Sequence, residues 1–272
     1  MPRIIANGIP HSYQLHGDES SVSTPVALVA GMGGAGSFWT PQLPAISRHW
    51  KTLVYDQRGT GGTEQSAVRD IEQLADDFVA LLDALKIPSV HFVGHSTGGA
   101  IGMSVAVRYP DRVRSLVLYA SVHRADAYRR RVWGLRKKIL QEMGPEVYAQ
   151  TTSLFFYPPE YVAAHSHMLE AVEARSAAGE ISAPEIMASR IDSILAFDIA
   201  HELPKIHKPT LVLCARDDML TPAYFSEEIA ALIPGATLRL YDRGGHAFSR
   251  SRQTEFDAAV VEFVASCEEA TA

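Results

Sequence analysis

A serine at position 96 lies in Gly94-His95-Ser96-Thr97-Gly98-Gly99, between an apolar run and a helix-like run. A serine hydroxyl is a weak nucleophile near neutral pH. It attacks a carbonyl carbon when a base within hydrogen-bond reach takes its proton, and that base needs an anion to fix its tautomer. The chain offers both. Asp217-Asp218 follow the apolar run ending at Ala215, and His246 closes Gly244-Gly245-His246 after the run ending at Tyr241. Of eleven histidines, only His246 follows a late strand-like run in a Gly-Gly turn. A lone histidine is more often structural, but here its order, turn and neighbours together indicate a base. Either aspartate could supply the anion.

Such a serine has to stand on a sharp turn. Val90-His91-Phe92-Val93 reads as a buried strand, and positions 100–107 read as a helix ending near Tyr109, ahead of Pro110. Gly94, Gly98 and Gly99 would let the two backbones pass closely. Short apolar runs at 26–30, 52–55, 115–119 and 210–215 read as strands covered on both faces. Asn7-Gly8 marks a type I′ hairpin. Asp70 and Gln73 form a capping box opening a helix, with Leu74, Phe78, Leu81, Leu82 and Leu85 on one stripe. A strand over 236–241 and a helix over 255–265 close the chain. This alternation predicts an α/β fold, a mostly parallel central sheet flanked by helices. Loops at the carboxyl ends of parallel strands face one crevice, where Ser96, His246 and an aspartate would meet.

The rhythm breaks from His123 to about His201. A basic helix-like stretch over 125–143 precedes the patch Leu154-Phe155-Phe156-Tyr157-Pro158-Pro159, and Ser182-Ala183-Pro184-Glu185 opens another helix as a capping box. The reading is a helical cap, 123–201, inserted into a core formed by 1–122 and 202–272. Its basic run, Arg124, Arg129, Arg130, Arg131, Arg136, Lys137 and Lys138, reads first as a solvated face. The sharper reading gives one or two arginines near the hinge a substrate carboxylate. Trp39, His123, Arg124, Trp133 and Phe155 are the candidate pocket residues.

The 272 residues are 47% hydrophobic, enough for one large core with an appended lobe. A net charge of −6 argues against nucleic acid as the main partner. No apolar stretch approaches the ~20 residues that span a bilayer. The N-terminus lacks a signal-peptide core, and two cysteines are too few for a disulfide scaffold. The expectation is a cytoplasmic chain acting on a small molecule, with a homodimer allowed. Gly31-Met32-Gly33-Gly34 lacks nucleotide-loop spacing, and His165 and His167 lack a carboxylate cluster. No cofactor and no metal are therefore expected. His95 reads as a packed or hydrogen-bonded residue, and Cys214 as a small buried hydrophobe.

The strand–Gly-x-Ser-x-Gly–helix junction resembles the nucleophile elbow of the α/β-hydrolases, and the resemblance runs along almost the whole chain. Asp56-x-Arg58-Gly59-x-Gly61 matches a turn frequent in that superfamily. A closer likeness is to carbamate or aminoacrylate hydrolases of the RutD type. It rests on Gly31-Met32-Gly33-Gly34-Ala35-Gly36-Ser37-Phe38-Trp39, Tyr55-Asp56-Gln57-Arg58-Gly59-Thr60-Gly61, Leu154-Phe155-Phe156-Tyr157-Pro158 and Cys214-Ala215-Arg216-Asp217-Asp218. Enol-lactonases of the 3-oxoadipate type are similar in the core. The resemblance implies the chain order serine, acid, histidine. It selects Asp218, four residues before Pro222, and leaves Asp217 to brace the loop. It implies that the Met32 and Thr97 amides hold the oxyanion. The implied activity is a serine hydrolase cleaving a small carboxylic ester, lactone or amide/carbamate bond through an acyl-enzyme. The same groups would also suit a lyase, a C–C bond hydrolase or a cofactor-free oxygenase. A ligand-binding module without turnover is a weaker rival.

Overall fold

The computed structural model describes residues 1–18, 20, 22–180 and 182–269. Asn7 and Gly8 both take positive φ, 47° and 79°, so they close a tight hairpin between β1 (Arg3–Ala6) and β2 (Ile9–His16). The apolar runs then form β3 (Val26–Val29), β4 (Thr52–Tyr55), β5 (Val90–His95), β6 (Val113–Tyr119), β7 (Thr210–Ala215) and β8 (Thr237–Tyr241). They build one eight-stranded sheet in the order β1-β2-β4-β3-β5-β6-β7-β8. The β1–β2 and β2–β4 pairs are antiparallel; the six strands β3 to β8 run parallel to one another.

The helices are α1 (Leu43–Ile46), α2 (Ile71–Ala84), α3 (Thr97–Arg108), α4 (Ala127–Phe156), α5 (Pro159–Ala164), α6 (Ser166–Arg175), α7 (Pro184–Ala196), α8 (Ala223–Leu232), α9 (Phe248–Ser251) and α10 (Gln253–Glu269). Alternate residues of the central strands face two separate cores. Ala27 and Val29 of β3 join α2 and α3, whereas Val26 and Leu28 join Trp39, Ile46 and the apolar side of α10. This double burial explains why the parallel strands read as unbroken apolar runs. Asp70 caps α2 by accepting from the Gln73 amide at 2.7 Å. The reciprocal bond is displaced by one residue, because Gln73 Oε1 accepts from the Arg69 amide.

Between β6 and β7 the described residues form α4 to α7 and no strand. The basic helix ends at Met143, where the sequence reading places its end. The chain breaks at Gly144, whose φ of 86° suits glycine, and resumes as a helix beyond Pro145, so Leu154-Phe155-Phe156 forms the last turn of α4. Ser182 does not cap α7. Ala183 holds that position without a side-chain bond, and Ser182 Oγ donates to Gly59 O at 2.5 Å instead. Pro184 at the first turn already lacks the amide that a cap would satisfy. Among the described residues, no helix is long and apolar enough to cross a membrane.

Asp257 of α10 is buried, with Oδ1 unpartnered and Oδ2 weakly held by Gln253. Burial pushes its carboxyl up to about 6, against roughly 4 in an unfolded chain. Between these values the folded state binds the extra proton, so stability should decline as pH rises from about 4 to about 6, by on the order of 2 kcal/mol. Asp257→Asn should remove that decline, which urea midpoints measured across this range would show.

Candidate active site

β5 ends at His95 and α3 begins at Thr97, so one residue has to turn the chain. That residue is Ser96, at φ 52° and ψ −115°. A non-glycine residue there costs on the order of 1–3 kcal/mol and persists only where its surroundings over-determine it. They do. The Ser96 amide donates to Tyr119 O on β6 at 2.8 Å. Its carbonyl accepts from Ser121 Oγ at 2.8 Å and from the Gly99 amide at 3.0 Å. A Cβ on Gly94 would lie 2.5 Å from Gly98 O, and one on Gly98 would overlap Val29 O. Only glycine lets strand and helix cross this closely.

His246, in the loop after β8, is buried and holds Asp218 of the loop after β7: Nδ1 to Oδ2 is 2.8 Å. Asp218 Oδ1 accepts from the Leu220 and Thr221 amides, both at 2.8 Å, and Thr221 Oγ1 lies 2.6 Å from Oδ2. Four donors thus converge on one carboxylate. With Nδ1–H donated to Asp218, the Nε2 lone pair of His246 is left as the basic site. Two donors fix the His246 backbone: His95 Nε2 at 3.1 Å and Tyr119 Oη at 2.8 Å from its carbonyl oxygen. Burial holds the His95 imidazole well below its ordinary range and the Tyr119 phenol well above, so both serve as neutral donors. The His95 and His246 ring centres lie 4.6 Å apart, which puts the His246 ring beside the neighbour of Ser96. Among the described residues, no hydrogen bond joins Ser96 Oγ to His246 Nε2; such bonds are often long in unliganded sites and tighten around substrate. Asp217 accepts from the Gly245 and Gly244 amides at 2.8 and 3.2 Å, which makes it the loop brace.

Met32 lies in the Gly31–Gly34 turn after β3, which the Gly34 amide closes onto Gly31 O at 3.0 Å. Thr97 is the first residue of α3, where an amide has no intrahelical acceptor. Neither the Met32 nor the Thr97 amide finds a backbone acceptor among the described residues. The Met32 carbonyl is gripped by Arg190 of α7. The guanidinium donates to Met32 O and Arg58 O, both at 2.9 Å, and to Gln57 Oε1 at 2.5 Å. Gln57 in turn donates to Ala30 O at 2.7 Å. The Asp56–Gly61 turn is held as tightly. Asp56 accepts from the Gly36 and Gly62 amides, and Arg58 forms two 2.7 Å bonds to Asp77 of α2.

The five pocket candidates divide. Trp133 is buried and Phe155 half-buried, both against the guanidinium of Arg136. The other three are corrected. Trp39 is fully buried on the opposite side of the sheet, stacked on Phe256 of α10, because its ring completes that core. Both bonds from Arg124 end on Glu228 of α8, at 2.9 and 2.8 Å. His123 is buried, with Nε2 3.2 Å from the same carboxylate. Glu228 lies too far along the chain for sequence to pair it with either. The solvated-face reading of the basic run is also corrected in part. Lys137 reaches Asp192, but Arg129 and Arg136 are fully buried. Arg190 escaped sequence reading entirely. A single arginine in an amphipathic helix carries no signal of burial.

A family model of the alpha/beta hydrolase fold matches residues 24–249. The chain belongs to the α/β-hydrolase fold family. This α/β hydrolase is 39% identical over 252 residues to a RutD protein of Azorhizobium caulinodans, spanning 92% of this chain and 93% of that one. It is 38% identical over 255 residues to the RutD protein of Stutzerimonas stutzeri, spanning 93% and 96%. Both relatives are named as carbamate hydrolases. The solved enol-lactonase of Burkholderia xenovorans LB400 superposes with a TM-score of 0.89 at 28% identity, covering 97% of this chain and all of that one.

Replacing Arg190 leaves three buried oxygens without donors. Arg190→Met should destabilise the fold by about 3–5 kcal/mol, and amide exchange in the Gly31–Gly34 turn should rise ahead of global unfolding. Arg190→Lys should recover part of the loss.

Proposed function

We propose that this hydrolase cleaves a small carboxylic ester, lactone or carbamate-type bond through an acyl-enzyme on Ser96. The observation that carries the proposal is the 2.8 Å Asp218–His246 pair set beside a serine locked at positive φ. The names of the relatives supply the substrate class. A carbamate and an enol lactone share an acyl carbonyl and differ in whether nitrogen or oxygen leaves, so one machinery serves either.

Ser96 Oγ attacks the carbonyl carbon while its proton passes to His246 Nε2. The carbonyl oxygen becomes an oxyanion held by the Met32 and Thr97 amides, with the dipole of α3 adding to the second. Collapse breaks the C–O or C–N bond, and His246 returns the proton to the departing atom. A water molecule then attacks the acyl-enzyme, gives a proton to His246 and releases the acid. That proton goes back to Ser96. Asp218 holds the imidazole in the productive tautomer and stabilises its charged form throughout.

Ser96→Ala should lower kcat on p-nitrophenyl acetate by about 10⁴–10⁶-fold. Asp218→Asn should lower it by roughly 10⁴-fold through the wrong tautomer, and Asp217→Asn far less. Turnover retained by Ser96→Ala would remove the covalent step. A deeper loss in Asp217→Asn would exchange the roles of the two aspartates.

A further inference from the structure

Four non-glycine residues among the described ones take positive φ: Asn7, Lys86, Ser96 and Ala120. Asn7 turns the hairpin and Lys86 follows the C-cap of α2, where such a conformation is common. Ser96 and Ala120 each follow the last residue of a strand, β5 and its neighbour β6. Ala120, at φ 47°, is thus a second strained residue beside the first. Its amide still donates to Leu213 O of β7 at 2.8 Å, so the chain turns only after it. Around this turn, three successive residues bond the site. Tyr119 O accepts from the Ser96 amide at 2.8 Å, and Tyr119 Oη donates to His246 O at 2.8 Å. Ser121 Oγ donates to Ser96 O at 2.8 Å, in a space that a Cβ on Gly99 would fill. Ala120 O accepts from Thr221 Oγ1 at 2.9 Å.

Thr221 is fully buried, and its hydroxyl meets three groups. Oγ1 lies 2.9 Å from Ala120 O, 2.6 Å from Asp218 Oδ2 and 3.1 Å from His246 Nδ1. The hydroxyl is not used to start α8, which is capped by Pro222 with no side-chain bond. Its one proton faces two acceptors, a backbone carbonyl and a carboxylate, while its lone pairs can accept from the imidazole. The two oxygens of Asp218 are held differently. Oδ1 takes the Leu220 and Thr221 amides, whereas Oδ2 meets His246 and the Thr221 hydroxyl. The torsion that turns a carboxylate about its Cβ–Cγ bond is broad, so bonds to Oδ1 alone leave Oδ2 free to swing. The Thr221 hydroxyl removes that freedom at the oxygen that faces the histidine.

We propose that Thr221 is a positioning residue of this site: its hydroxyl ties Asp218 Oδ2 to Ala120 O. The end of β6 then becomes the common frame from which serine, acid and histidine are all held. The inference rests on the hydrolase reading above. Thr221 acts through Asp218 and does not touch substrate. The positive φ of Ala120 lets its carbonyl meet Thr221 while the residues on either side of it bond Ser96.

Three variants test this. Thr221→Val removes the hydroxyl at nearly constant volume, Thr221→Ala removes it and leaves space, and Thr221→Ser keeps it. Folding is checked by thermal midpoint. The readouts are kcat and KM on p-nitrophenyl acetate and the low-field proton NMR signal of His246 Nδ1–H. Thr221→Val should lower kcat by about 10–100-fold, as expected for loss of one hydrogen bond to a charged group, and leave KM within about twofold. The Nδ1–H signal should shift in the same variant, and Thr221→Ser should restore both. Should Thr221→Val fail to fold, Thr221→Ala carries the same comparison. In an Asp218→Asn background, adding Thr221→Val should slow fluorophosphonate labelling of Ser96 by no more than about twofold, because groups that act as a unit are not additive. In folded protein, an unchanged kcat, an unmoved signal, or an undiminished effect in the Asp218→Asn background overturns the positioning role. The two proposals fail separately. A signal that moves and is restored by serine, in a protein that cleaves no ester, would sink the hydrolase reading alone. Ester cleavage through Ser96 that is indifferent to Thr221→Val would sink the positioning role alone.

Discussion

The close crossing of β5 and α3 is the constraint on which the rest of the site depends. Gly94 and Gly98 remove the two Cβ atoms that would drive the strand and helix apart. The backbone can then turn within one residue, and that residue is forced to positive φ. Because the flanking strands β3 and β6 are parallel to β5, their following loops open on the same edge. The Met32 turn and the Ser121 hydroxyl therefore arrive beside Ser96 without long excursions. The loops after β7 and β8 bring Asp218 and His246 to that edge for the same reason.

A second layer of bonds ties the helical segment to this edge. Arg190 reaches from α7 to the Met32 turn and the turn after β4, and Ser182 reaches Gly59. The acceptors are backbone oxygens and one amide oxygen, so the segment is fastened by geometry more than by charge. The chain is net negative, −6, yet the interior of this segment concentrates three buried guanidiniums. The acidic residues lie elsewhere, pairing with outer cations such as Arg124 and Lys137.

Much of the sheet was legible because the central strands β3 to β7 are buried on both faces and so read as short apolar runs. The turn glycines were legible because their positions require what only glycine tolerates. The Asp218–His246 contact and the bracing by Asp217 agree with the reading drawn from the family order and turn chemistry. Burial of single polar residues was not legible. Trp39 looks like any aromatic near a loop until α10 covers it, and Arg124 looks available until Glu228, on a distant helix, takes both its bonds. Arg129 and Arg136 sit in the same basic run as Arg130 and Arg131, and only the rotation of α4 about its axis separates buried from exposed. The second helical stretch, beyond the break at Gly144, was not legible because Gly144 and Pro145 interrupt the helical pattern.

The covalent step at the elbow is the central claim, because lyase and oxygenase chemistry on the same fold would leave the serine unacylated. The most direct measurement is the intact mass and peptide map of the protein after treatment with a fluorophosphonate. The expected result is one phosphonyl group per chain, on the peptide bearing Ser96, lost in Ser96→Ala and strongly slowed in His246→Ala. A native, folded protein left unmodified, or one modified at another residue, would contradict it.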